Sequence, residues 1–133
     1  MKKRTLTIES YMTPSPQSIG YDQTLSQAHE IMRDHGIRHL PVLRGGELVG
    51  ILSQRDLAVL ESLADVDPEK VGVEEAMTAE VFSVAPDTPL EGVAREMADR
   101  KLGSAVVMEK NRIVGVFTTV DGLRALANLL RGE

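Results

Sequence analysis

Gly50-Ile51-Leu52-Ser53-Gln54-Arg55-Asp56 reads as a strand that ends, turns and becomes a helix. Val49, Ile51 and Leu52 are strand formers. Ser53 is a good N-cap, and Asp56, three residues on, gives the spacing of a capping box. A helix start offers backbone N–H groups and the positive end of the helix dipole, a natural place for an anion. The stretch recurs as Gly115-Val116-Phe117-Thr118-Thr119-Val120-Asp121, with glycine, hydroxyl and carboxylate at the same spacing. A polar strand-to-helix turn used twice suggests a ligand site used twice.

Working outward, the two stretches belong to a longer duplication at an offset of 65 residues. Met12-Thr13 matches Met77-Thr78, and the register holds without a gap to Asp56 and Asp121. Eleven of the 49 pairs between residues 12–60 and 77–125 are identical, where ordinary composition would give about three. Each copy parses as β-α-β-β-α. Ser18-Ile19 and Ser83-Val84 are short strands. Asp22-Gln23-Thr24 and Asp87-Thr88-Pro89 signal helix starts. Leu25, Ala28, Ile31 and Met32 recur at helical spacing, as do Leu90, Val93, Ala94 and Met97. Gly36 suits the end of the first helix. His39 to Leu43 and Ala105 to Met108 are apolar strands, returned by Leu48 to Leu52 and Ile113 to Phe117. Gly45-Gly46 and Lys110-Asn111 are the two-residue hairpin turns between them.

The resulting division is a loosely held tail over 1–10, a first repeat over 11–64, a linker over 65–72 and a second repeat over 73–133. A helical turn is expected at Val73-Glu74-Glu75-Ala76. A unit of about 50 residues buries too little surface to be secure alone. The fold class is therefore α+β, with the two repeats expected to pack with pseudo-twofold symmetry around a cleft lined by both turns.

Composition narrows the function classes. A net charge of −5 and 3% aromatic residues disfavour nucleic acid as the main partner. The basic cluster Lys2-Lys3-Arg4 reads as a solvated terminus. There is no cysteine, so disulfides and thiol chemistry are excluded. No apolar run approaches the ~20 residues of a membrane span, and no secretory signal is visible, so a cytoplasmic location is the default expectation. His29, His35 and His39 do not have the spacing of a metal set. Met12, Met32, Met77 and Met97 fall at paired positions and are expected to fill the core or cleft. No nucleophile elbow, Gly-x-x-x-x-Gly-Lys or Gly-x-Gly-x-x-Gly occurs, so an enzyme is not expected.

The chain resembles a pair of cystathionine-β-synthase (CBS) domains over residues 11–127. The carrying features are the two Met-Thr pairs, Gly36-Ile37-Arg38-His39-Leu40-Pro41-Val42, and the two Gly-x-x-Ser/Thr-x-x-Asp stretches. The resemblance implies a non-catalytic module that binds AMP, ADP, ATP or an adenosyl compound such as S-adenosylmethionine, with no obligatory cofactor. It implies regulation of a separate, unidentified protein. It also implies ligand contacts by Ser53, Arg55, Asp56, Arg38, His39, Pro41 and Ile19 in the first copy, and by Thr118, Asp121 and Val84 in the second. An ionised carboxylate can accept from both hydroxyls of a ribose diol, and a basic residue in the adjoining strand can meet a phosphate.

The second copy departs from the first. Gly103, Ser104 and Ala105 replace Arg38, His39 and Leu40, and Val106 replaces Pro41. Tighter nucleotide binding is therefore expected at the turn carrying Asp56. The bland reading is that Ser53–Asp56 and Thr118–Asp121 are capping boxes and nothing more; the two roles can coexist. A homodimer is expected through apolar faces on the second helices, Leu57, Leu60 and Leu63 with Leu123, Leu126 and Leu130. The alternatives are a ligand-free structural dimer of the same fold and a nucleic-acid-binding relative.

Overall fold

The structure is a computed structural model, and it describes residues 5–132. The cluster Lys2-Lys3-Arg4 lies outside the described residues. The chain forms two compact units. One is Gln17–Val81; the other joins Phe82–Glu133 to the N-terminal stretch that ends at Pro16.

The Gln17–Val81 unit holds β2 (Ile19–Gly20), α1 (Leu25–His35), β3 (His39–Arg44), β4 (Glu47–Ser53) and α2 (Gln54–Glu61), where β1 (Thr13–Pro14) precedes them in the chain. Its sheet runs β2-β3-β4, parallel between β2 and β3 and antiparallel between β3 and β4. Thr24 starts α1 with a reciprocal capping box to Gln27, and Gly36 ends it in the left-handed conformation at φ 62°. Gly45 and Gly46 both have positive φ, as a type I′ turn requires. The core is Ile19, Leu25, Ala28, Met32, Leu40, Val42, Leu52, Leu57 and Val73.

The second unit repeats this plan with β5 (Ser83–Val84), α3 (Leu90–Arg100), β6 (Ser104–Glu109), β7 (Arg112–Thr118) and α4 (Thr119–Leu130). Its sheet order is β1-β7-β6-β5. Lys110 and Asn111 form its hairpin turn, both at positive φ. A register irregularity falls between Val107 and Met108, the same place as that between Val42 and Leu43 in the other unit. The core is Ile8, Leu90, Val93, Met97, Ala105, Val107, Phe117 and Ala125. Ala94, at helical spacing with this core, is exposed.

The units are not the copies read from the sequence. In each unit the body of one copy is completed by the opening segment of the other. The 3₁₀ turn Val73–Glu75 lies in the unit of the first copy: Leu25 N–H donates to the Val71 carbonyl and Val73 N–H to that of Gln23. The 3₁₀ turn Ile8–Ser10 does the same in the other unit, where Leu90 N–H donates to the Leu6 carbonyl and Ile8 N–H to that of Thr88. Thr78 bridges Ile51, as Thr13 pairs with Val116.

Residues 5–10 are therefore not the loosely held tail expected of them. Ile8 is fully buried, and burial of a side chain that size is worth ~2 kcal/mol. The duplication extends back to Leu6-Thr7-Ile8-Glu9 against Val71-Gly72-Val73-Glu74 at the same offset.

Glycine is demanded where these segments cross β4 and β7. A Cβ on Gly115 would collide with the Met12 sulfur, and one on Gly50 would come 2.5 Å from the Met77 sulfur and 3.0 Å from the Thr78 carbonyl oxygen. Met32 and Met97 are buried in the two cores, and Met12 and Met77 pack against them.

Candidate functional site

Each unit carries one strand-to-helix turn, and each turn is a reciprocal capping box. At the β4–α2 turn, Asp56 N–H donates to Ser53 Oγ at 3.0 Å, and Ser53 N–H donates to Asp56 Oδ2 at 3.1 Å. At the β7–α4 turn, Asp121 N–H donates to Thr118 Oγ1 at 3.3 Å, and Thr118 N–H donates to Asp121 Oδ2 at 2.9 Å. The strand β3 or β6 closes the flank. His39 stands opposite Ser53, and Ser104 opposite Thr118. Gln54 N–H donates to the Arg38 carbonyl at 2.8 Å, and Thr119 N–H to that of Gly103 at 3.2 Å.

These bonds correct one expectation, that the helix starts are banks of free amides for an anion. The amides of Gln54 and Asp56, and those of Thr119 and Asp121, are already engaged within the fold. An anion at either turn would rely more on side chains than on the helix end.

The structure brings Arg38, His39, Ser53 and Asp56 together at one turn through β3–β4 pairing. Arg38 and Arg55 are exposed, and neither is in an ion pair among the described residues. His39 is half-buried; burial lowers its pKa below 6.5, with Asp56 opposing and Arg38 reinforcing that shift. Pro41 and Ile19 are buried in the sheet. Ile19 pairs with Val42, and Val84 with Val107, so both back the core strand; Val84 is partly exposed.

The two carboxylates differ. Asp56 is half-buried, and its Oδ1 accepts no hydrogen bond among the described residues. Asp121 is only 7% exposed and is the buried charged residue of the described chain. Its Oδ2 also accepts from the Thr118 hydroxyl at 3.2 Å, and its Oδ1 accepts from the Thr13 hydroxyl at 3.1 Å. Arg124 Nη1 lies 3.6 Å from the same Oδ1. Sequence reasoning missed Thr13 and Arg124. The available signal was the repeat of the Met12-Thr13 segment, which could have suggested an exchange with the far end of the chain.

Other clusters gather elsewhere. His29 on α1 meets Glu61 at the end of α2, with Nε2 2.9 Å from Oε1. A depression of about 400 Å3, lined by Thr7, Glu9, Asp87, Glu109 and Lys110 among others, contains none of the expected ligand residues. Among the described residues no three His, Cys, Asp or Glu side chains are placed to hold a metal ion. No helix among them is long and apolar enough to cross a membrane.

A family model of the CBS domain matches the chain twice, over residues 8–61 and 73–128. The CBS domain-containing protein YhcV of Bacillus subtilis is 28% identical over 115 residues, covering 86% of this chain and 81% of that protein. Among solved structures, AcuB from Vibrio cholerae, a protein named for acetoin utilization, superposes with a TM-score of 0.85 at 32% identity, covering 96% and 95% of the two chains. The CBS domain pair of protein MJ0100, solved with 5′-methylthioadenosine and S-adenosyl-L-methionine, gives a TM-score of 0.82 at 26% identity, covering 94% and 98%.

Proposed function

We propose that this chain, which belongs to the CBS domain family, is a non-catalytic module that binds an adenosyl ligand and passes its occupancy to a separate protein. The candidate ligands are AMP, ADP, ATP, S-adenosylmethionine and 5′-methylthioadenosine. The observation that carries the reading is the β4–α2 turn. There a carboxylate, Asp56, stands with Ser53, His39 and Arg38, and among the described residues its Oδ1 is unengaged and the Arg38 guanidinium unpaired. Such a set suits a ribose diol beside a phosphate or sulfonium-bearing chain. The structural relative solved with adenosyl compounds supports the ligand class.

The test is a thermal-shift and calorimetric panel with the five ligands. A ligand that binds only the native chain raises stability by RT ln(1 + [L]/Kd), about 2.7 kcal/mol at 100 times Kd. At least one is expected to shift the midpoint, and Asp56→Ala to abolish that shift. No shift with any of them at millimolar concentration would leave the ligand-free structural reading instead. Turnover of ATP lost in Asp56→Ala would overturn the non-catalytic part.

Dimerisation belongs to the same reading, with one correction to the expected faces. Leu57 is fully buried and Leu60 packs on the core, so α2 offers Val59, and Leu63 is exposed just beyond the helix end. On α4, Val120, Leu123, Leu126 and Leu130 are exposed, Leu123 by 67% and Leu130 by 79%. That stripe is the proposed twofold contact. Light scattering is expected to give twice 14.5 kDa, and Leu123→Glu with Leu126→Glu to halve it. A monomer across micromolar concentrations would remove the dimer.

A further inference from the structure

Thr13 and Thr78 hold the same place in the two copies, each after a methionine that lies on a strand glycine. Their hydroxyls differ. Thr13 donates to Asp121 Oδ1 at 3.1 Å, while Thr78 makes no such bond to Asp56 among the described residues. Asp121 is buried beneath that contact, and both of its oxygens are occupied.

We propose that the Thr13 hydroxyl stands in for a ligand hydroxyl on Asp121 and so gates the β7–α4 turn against ribonucleosides. The inference rests on the reading above, that these aspartates receive a ribose. A ribose diol brings O–H donors to a carboxylate. At Asp56 an oxygen is open to one. At Asp121 the incoming hydroxyl must first displace Thr13, exchanging one neutral-donor hydrogen bond for another with little net gain. Removal of the Thr13 donor takes from Oδ1 its one hydrogen bond among the described residues and leaves it only the longer ion pair with Arg124 at 3.6 Å, a loss that a ligand hydroxyl repairs. Thr13 is thus a specificity-determining residue supplied from 108 positions away in the chain, and it makes two nearly identical turns unequal.

The experiment titrates the full chain with adenosine, which has the diol and no phosphate, and follows the backbone amides of both turns by NMR. Thr13→Val keeps the branched shape without the donor; Thr13→Ala repeats the loss with a smaller side chain. In wild type the amides of Ser53 and Asp56 respond first. In both variants those of Thr118 and Asp121 are expected to respond at about tenfold lower adenosine than in wild type. Thr13→Ser, which keeps the hydroxyl, and Thr78→Val are expected to leave that turn as in wild type. The gate is overturned if the Thr118 and Asp121 amides respond no more readily in Thr13→Val and Thr13→Ala, or if Thr13→Ser behaves like them. If Ser53 and Asp56 still respond in that case, the gate alone falls. If neither turn responds in any protein, the adenosyl reading falls with it.

Discussion

The turn at Ser53 and the turn at Thr118 share a backbone plan down to the hydrogen-bonded capping box, yet they hold their carboxylates differently. Among the described residues Asp56 keeps an oxygen open beside Arg38 and His39. Asp121 is buried, takes hydroxyls from Thr13 and Thr118, and has Gly103 and Ser104 on its flank. A duplicated motif therefore fixes where a carboxylate sits, while its neighbours decide what it is free to do. On the proposed reading, structure and ligand binding compete for the same oxygens, and the first copy leaves more of them available.

The largest expected difference is in affinity. The turn carrying Asp56 has an unpaired cation for a phosphate and an open acceptor among the described residues; at the turn carrying Asp121 both carboxylate oxygens are taken, and the nearby cation, Arg124, is paired with that carboxylate. A gap of about 1.5–3 kcal/mol, one to two decades in Kd, follows from charge-assisted bonds of ordinary strength. Calorimetric titration with AMP checks it. Asp56→Ala and Arg38→Ala are expected to weaken the tighter event, and Asp121→Ala to spare it. The opposite pattern, with the tight event lost only in Asp121→Ala, breaks the comparison.

A second contrast lies under the turns, where each methionine crosses a glycine. Gly50→Ala is expected to cost about 2–3 kcal/mol, as overpacking without relief does. Its Cβ would meet the Thr78 carbonyl oxygen as well as the Met77 side chain, whereas the three atoms nearest a Cβ on Gly115 all belong to the Met12 side chain. Gly115→Ala should therefore be rescued in large part by Met12→Ala, and Gly50→Ala much less by Met77→Ala. Urea denaturation of the single and double variants measures both. Equal rescue at the two sites would show that the carbonyl can move aside.

Much of this was legible in the residues. The 65-residue offset placed both hairpins, both helix pairs and both capping boxes, because each rests on local signals such as Gly45-Gly46 or Ser53 three before Asp56. The exchange of opening segments was not legible. Leu6-x-Ile8-Glu9 and Val71-x-Val73-Glu74 carry the repeat backward, but no local rule says which body a strand-like segment joins. The same gap hid Thr13 from Asp121. Leu57 was misplaced on an exposed face for a related reason: one helix face reads the same from sequence whether it meets the core or solvent. The proposal that these residues receive an adenosyl ligand comes from the family resemblance, because no local signal distinguishes a ligand carboxylate from a capping one.

A smaller effect separates the helix ends. Gly36 closes α1 at φ 62°, with open space where a methyl group would stand, and Lys101 closes α3 at φ 56° in the same role. Gly36→Ala is expected to cost about 1 kcal/mol, the left-handed penalty of a side chain. Lys101→Gly is expected to return a few tenths, because relief of that penalty is partly offset by a freer unfolded chain. Denaturant midpoints check the pair, and a stabilising Gly36→Ala would refute the argument.

The smallest difference is expected to appear only in mild acid. His39 faces Ser53 in one unit; Ser104, which does not titrate, faces Thr118 in the other. Burial lowers the folded pKa of His39 below 6.5, Asp56 pulls it upward, and Arg38 pushes it down. A group whose pKa falls on folding binds more protons when unfolded, so its contribution to stability is whole above pH 6.5 and is lost as pH falls through the folded value. Stability should therefore decline between pH 7 and 5, and His39→Gln should flatten that part of the profile. Amide exchange localises the effect. Protection of β3 and β4 is expected to fall relative to β6 and β7 as the medium is acidified, and His39→Gln to remove the divergence. If the divergence survives that substitution, or if β6 and β7 lose protection equally, the pH response does not arise from His39.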